Sequence, residues 1–217
     1  MNEIRRFTLQ GARWTISALL ALSSGVAFAD AKSGEAKSFL CDLCHNTGTY
    51  GEAAPILQGQ PAPYLVLQLQ AFKDKKRAGV MQTNASGMST EDMRDIADYF
   101  AAQKPFRTPF RPDPSKVILG RQRANALGCA SCHQSDYSGQ GDVPRLAGQW
   151  YGYLVAELKN FRTGNRAHGN APPGDTVRNP TAEDADVLVH FLTAQQSEPF
   201  TRGCFVTQAR AVTESPH

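Results

Sequence analysis

Two five-residue segments constrain this 217-residue chain more than anything else in it. Cys41-Asp42-Leu43-Cys44-His45 returns 88 residues later as Cys129-Ala130-Ser131-Cys132-His133. The recurrence extends well beyond the cysteines. Pro55-Ile56-Leu57-Gln58-Gly59-Gln60 returns as Pro144-Arg145-Leu146-Ala147-Gly148-Gln149. Tyr64-Leu65-Val66 with Leu69, Phe72 and Lys73 returns as Tyr153-Leu154-Val155 with Leu158, Phe161 and Arg162. Similarity sustained at one offset over so many positions marks a duplicated structural unit.

Each unit reads as helical. The spacing of Leu65, Leu69 and Phe72, and of Leu154, Leu158 and Phe161, gives a helix with one buried face in each copy. A second helix closes each copy. Ser89-Thr90-Glu91-Asp92 opens one, with Ser89 as N-cap and acids in the first turn, and Thr181-Ala182-Glu183-Asp184 opens the other. Their inward stripes are Met93, Ile96, Ala97 and Phe100, and Ala185, Leu188, Val189 and Leu192. Residues 104–115 hold Pro105, Pro109, Pro112 and Pro114, the composition of a semi-rigid extended linker. No alternating apolar and polar run suggests a strand. The expected fold is all-α, with a domain over 30–103, a linker over 104–115, a second domain over 116–196 and a C-terminal extension over 197–217. Domains of this size are marginal on an apolar core alone, so something besides side chains is expected to fill them.

With 41% hydrophobic and 20% charged residues, the composition is that of a folded chain. A net formal charge of +3 does not resemble that of a nucleic-acid binder, whose affinity rests on a concentrated basic surface. Residues 1–29 read as a secretory signal peptide: Arg5, Arg6 and Arg13 precede an apolar run from Trp14 to Leu22, and Ala27-Phe28-Ala29 supplies a cleavage pattern. The run is too short to span a bilayer. The mature chain is therefore expected outside the reducing cytosol.

C-x-x-C-H is the attachment pattern of c-type haem. Two thiols add across the two vinyl groups of the porphyrin, and the adjoining imidazole is thereby carried beneath the iron. Cys41, Cys44, Cys129 and Cys132 are the expected attachment points of two covalently bound haem c groups, with His45 and His133 as proximal iron ligands. One zinc held by both cysteine pairs would leave the trailing histidines unexplained. A thioredoxin-like dithiol requires a βαβ pattern that is absent, and a disulfide between residues three apart would close a strained small ring. A proximal histidine needs an acceptor on its second nitrogen. A carbonyl of the P-x-L-x-G-Q stretch, whose proline follows each histidine by ten or eleven residues, is a candidate; the prolines could equally serve only to turn the chain.

With tandem C-x-x-C-H, P-x-L-x-G-Q, Tyr-Leu…Leu…Phe and the Ser/Thr-x-Glu-Asp helix openings in that order, the chain resembles the di-haem cytochrome c4 family of class I cytochromes c. The resemblance covers about Lys32 to Gln196. It implies two tandem class I cytochrome c domains, each wrapped around one haem. It implies a periplasmic carrier, with no substrate chemistry of its own, that passes electrons from a respiratory donor toward a terminal oxidase or reductase. It also implies a methionine sulfur as sixth ligand of each iron. The family carries that methionine at the distance ahead of the closing helix at which Met81 stands here. Met88 is the alternative, although with Met93 it is well placed as a hydrophobic staple at the start of that helix. A thioether ligand would make haem 1 a high-potential centre.

The second copy departs from the pattern, since no methionine follows Met93. His168, in the loop from Gly164 to Pro180, is the candidate sixth ligand of haem 2; water or an open face is the other reading. Bis-histidine ligation would lower the potential of haem 2, so that electrons run from haem 2 to haem 1. An open haem 2 would instead admit peroxidase-like chemistry, with His168 as a distal acid–base group. A further alternative is a subunit held to a larger, membrane-associated respiratory complex by the C-terminal extension. Cys204, in that extension, is either inert, a site of intermolecular pairing or a reactive thiol. His190, aligned with Asp98, reads as a solvated surface residue. Lys73, Lys75, Lys76 and Arg77, with the looser set Lys159, Arg162 and Arg166, read as solvated helix ends, as charges that steer an acidic partner, or as partners for haem propionates.

Overall fold

The computed structural model describes residues 31–45, 53–105, 107–166 and 180–195. The segment read as a signal peptide, His168, Cys204 and the C-terminal extension lie outside these residues. Among the described residues there are eight helices and, apart from one isolated bridge between Gln140 and Val143, no β-structure. They are α1 (Ala31–His45), α2 (Ala62–Lys73), α3 (Met81–Ala85), α4 (Thr90–Ala101), α5 (Pro114–Leu127), α6 (Ala130–His133), α7 (Tyr151–Arg162) and α8 (Ala182–Ala194). No helix is long and apolar enough to cross a membrane among the described residues.

The two copies repeat one packing scheme. α1 crosses α4 while α2 packs on α4; α5 crosses α8 while α7 packs on α8. Both closing helices start where their sequences place them. The Ser89 hydroxyl accepts from the Asp92 N–H and the Asp92 carboxylate accepts from the Ser89 N–H; Thr181 and Asp184 form the same capping box. These N3 acids also reach the crossing helix, through Lys37–Asp92 at 2.8 Å and Arg123–Asp184 at 2.8 Å. The inward stripes are buried as expected: Met93, Ile96, Ala97 and Phe100 on α4, and Ala185, Leu188, Val189 and Leu192 on α8.

Both crossings depend on a glycine. A Cβ on Gly34 would stand 2.1 Å from the Asp95 carbonyl oxygen, and one on Gly120 would stand 2.0 Å from that of Val187. The helix backbones therefore touch where those residues meet.

Two expectations change at the start of the second domain. α5 begins at Pro114, inside the segment read as linker. The Asp113 side chain accepts from the N–H groups of Ser115 (2.8 Å) and Lys116 (3.4 Å), and Pro114, lacking an N–H, suits the first helical position. His190, read as a solvated surface residue, is instead 8% exposed. It packs against both Phe110 and Tyr151, whose rings stack on each other at 4.5 Å, and its Nδ1 accepts from the Asp113 N–H at 3.0 Å. Docking of the inter-domain segment against α8 covers it, an event that no helical periodicity reveals.

Candidate haem-attachment sites

The two C-x-x-C-H motifs reach similar geometry by different local routes. In the first copy Cys41, Cys44 and His45 occupy the C-terminal end of the continuous helix α1. In the second, α5 is terminated by Gly128, whose φ of 69° is left-handed, and the motif turns again as the short α6. Both histidines end up 6% exposed. His45 Nδ1 meets the Pro55 carbonyl oxygen at 2.7 Å, and His133 Nδ1 meets that of Pro144 at 2.8 Å. Because a carbonyl only accepts, each imidazole carries its proton on Nδ1, and the lone pair a metal takes lies on Nε2. Burial lowers the pKa of His45, opposed by its bond to Pro55, so the neutral, ligating form is favoured.

The P-x-L-x-G-Q stretch divides its work residue by residue. The proline carbonyl receives the histidine. Leu57 and Leu146 pack against the two cores. Gly59 and Gly148 adopt left-handed φ of 71° and 69°, and their N–H groups donate to Phe100 (2.9 Å) and Leu192 (3.0 Å) at the ends of α4 and α8. The last residue leaves its own domain: Gln60 bonds the backbone of Arg145, and Gln149 bonds that of Ile56.

Arginines complete the join between domains. Arg77 reaches Tyr153 Oη (3.1 Å) and Glu157 (3.2 Å); Arg166 reaches Tyr64 Oη (3.0 Å), Gln68 (3.1 Å) and Glu157. Of the basic runs read as solvated ends or steering charges, these two side chains are thus turned inward, 13% and 11% exposed, while Lys76 remains open at 76%. Position 68 is Gln and its repeat partner 157 is Glu, so one carboxylate serves two guanidinium groups.

The cysteine chemistry argues against a dithiol centre. Burial pushes the thiols of Cys41 and Cys129 above the ordinary value, away from the thiolate a reactive cysteine needs. Among the described residues no group of three or more His, Cys, Asp or Glu side chains is placed to hold a metal ion. The surroundings fit a porphyrin instead. On the helix bearing the first motif, Phe39, Leu40 and Leu43 are 69%, 72% and 53% exposed, apolar surface that the polypeptide leaves uncovered. Both amide atoms of Gln58, a residue only 3% exposed, lack a partner in the protein.

Met81 is the first residue of α3, which packs on α2. Its side chain is half-buried, with Sδ 4.0 Å from Asn84 Nδ2. Met88 packs against the core formed by Leu65, Ile96, Ala97 and Phe100, and Met93 is fully buried. Sequence reasoning did not assign the glutamine and arginine bridges. Their signal was present, since Gln60/Gln149 and Arg77/Arg166 recur at the offset of the repeat.

Comparison with known proteins agrees with this geometry. The cytochrome c family pattern matches residues 117–196. Cytochrome c4 from Pseudomonas aeruginosa is 34% identical over 176 residues, covering 74% of this chain and 85% of that protein. A protein named thiosulfate dehydrogenase electron acceptor, from Thiomonas intermedia, is 31% identical over 174 residues, covering 73% of this chain and 80% of its own length. The solved structure of cytochrome c4 from Acidithiobacillus ferrooxidans shares 30% identity and a TM-score of 0.64, covering 72% of this chain and 99% of that one. Two covalently bound haem c groups and an electron-carrying role follow from these likenesses, with Cys41/Cys44 and Cys129/Cys132 forming the pairs of the attachment pattern. The chain belongs to the di-haem cytochrome c4 family of electron-transfer proteins.

Proposed function

We propose that this cytochrome works in the periplasm, taking electrons one at a time from a respiratory dehydrogenase and delivering them to a terminal oxidase. His45 and Met81 would hold the iron in the first domain and His133 in the second; the candidate His168 lies outside the described residues. When bound, the haem supplies a reversible one-electron Fe(III)/Fe(II) couple. The polypeptide holds each imidazole in one tautomer through the Pro55 and Pro144 carbonyls. It also packs the flanking helices so that water is kept from the histidines. The observation that carries this reading is the pair of matched, buried histidine–carbonyl bonds in two domains joined by buried contacts. The relative named for thiosulfate dehydrogenase supports an enzyme of that kind as the donor. The export signal in residues 1–29 supports the location.

Stopped-flow mixing tests the role. The oxidised protein should be reduced by thiosulfate dehydrogenase turning over thiosulfate, and the reduced protein reoxidised by a membrane fraction containing terminal oxidase. Failure of both exchanges, in a protein with two haems attached and reversibly reducible, would refute it. Met81→His should abolish the sulfur-to-iron charge-transfer absorption of haem 1 and lower its potential by more than about 59 mV, a factor of ten in the equilibrium. An unchanged spectrum would exclude Met81 as ligand.

A further inference from the structure

The peptide that fixes each histidine is itself gripped by the opposite domain. The Pro55 carbonyl takes the His45 Nδ1–H at 2.7 Å, and the N–H of the same peptide group, on Ile56, donates to Gln149 Oε1 at 2.8 Å. Gln149 Nε2 donates back to the Ile56 carbonyl at 3.0 Å. The second domain repeats this. The Pro144 carbonyl takes His133 Nδ1–H at 2.8 Å, the Arg145 N–H donates to Gln60 Oε1 at 3.0 Å, and Gln60 Nε2 donates to the Arg145 carbonyl at 2.9 Å. Both glutamines are buried, 5% exposed for Gln60 and 3% for Gln149. A contact serving only to dock two domains has any backbone group to choose from. Here both copies select the one peptide whose oxygen holds the histidine.

We propose that Gln149 is a positioning residue for His45 and Gln60 for His133, so that each domain sets the reduction potential of the haem in the other. The inference rests on the reading of these histidines as iron ligands. A peptide whose N–H is engaged is polarised and becomes a stronger acceptor at its oxygen. Stronger acceptance from Nδ1–H raises the electron density and basicity of the imidazole, which favours ferric iron. Removing the glutamine should therefore raise the potential of the haem across the interface. A ligand's direct hydrogen-bond partner typically governs tenfold or more in metal affinity. One bond further out, the expected change in the ferric/ferrous equilibrium is about threefold to tenfold. At 59 mV per tenfold for one electron, that is roughly 30–60 mV.

The test is a redox titration of the full-length, haem-loaded protein followed by proton NMR, with each haem's methyl signals assigned through contacts to its own cysteine pair. Gln149→Leu should raise the potential of the haem at Cys41/Cys44 and leave that at Cys129/Cys132 within a twofold change in equilibrium; Gln60→Leu should do the reverse. Equal shifts at both haems, or a shift confined to the mutated domain, would overturn the proposal, as would no shift. Should small-angle scattering show that the leucine variants separate the domains, Gln149→Glu decides. It keeps an acceptor for the Ile56 N–H, so the first haem must remain at or below its parent potential, and a rise would refute the assignment. Loss of either reversible wave in the parent protein would instead count against the electron-carrier reading itself.

Discussion

Gly120→Ala is a demanding test of the fold, because local and tertiary effects predict opposite signs. Gly120 lies inside α5 and Gly34 inside α1. Helix propensity alone makes alanine better than glycine in such positions by about 0.5–1 kcal/mol. At Gly120 the new Cβ would sit 2.0 Å from the Val187 oxygen and 2.6 Å from Phe191 Cβ, where ordinary contact is 3.4–4 Å. The nearest obstacle is helix backbone, so α5 and α8 must part by about an ångström or more along the largest packing surface of the domain. Overpacking of this kind costs about 1–3 kcal/mol and occasionally more. A backbone obstacle places this site at the upper end, leaving a net loss of about 2 kcal/mol after the propensity gain. For a chain of this length that is a fall in Tm of roughly 4–8 °C. Thermal and guanidinium unfolding of the haem-loaded protein, followed by far-ultraviolet circular dichroism, measures it. Gly34→Ala should behave alike, and Gly87→Ala, with nothing within 4 Å of its Cβ, should be nearly silent. A Gly120→Ala protein as stable as its parent, or more so, would refute the close crossing.

Two further outcomes are expected. Glu157→Gln leaves Arg77 and Arg166 facing each other without a carboxylate, and should cost about 2–4 kcal/mol, somewhat below a fully buried pair because the groups are slightly exposed; unchanged unfolding and scattering profiles would show that the cluster does not hold the domains. Burial lowers the His190 pKa below its ordinary 6.5, offset in part by Asp186 and Asp113, while Lys116 adds to the lowering. The unfolded chain then takes up the proton first, so stability should decline as pH falls below about 6.5 and level off once the folded-state pKa is passed. His190→Gln should lose less stability than its parent between about pH 7 and pH 5, and parallel pH profiles for the two proteins would contradict this.

Much of the candidate site was legible in the sequence because its determinants are short-range. The thiol spacing, the adjoining histidine and the proline some ten residues on lie within one stretch of chain, and the two prolyl carbonyls do receive the two imidazoles. The capping residues Ser89 and Thr181 and the buried stripes of α4 and α8 are likewise local, since each follows from a helical period and one side-chain oxygen. His190 was misread for the complementary reason. Its position off the apolar stripe describes the helix, and the segment that buries it comes from 77 residues earlier.

Taken alone, the amino-acid order established a duplicated helical unit, the group attached to it, and which faces of α2, α4, α7 and α8 turn inward. It could do so because periodicity and bond spacing act over a few residues. The tertiary structure alone decided that Gln60 and Gln149 exchange domains, that Arg77 and Arg166 leave the solvent for a shared Glu157, and that two glycines let backbones touch. Apart from the Arg166–Glu157 pair, 9 positions apart, each of those contacts joins residues some 60 to 100 positions distant in the chain. Which surfaces meet is set by the packing of the whole molecule and by no local pattern.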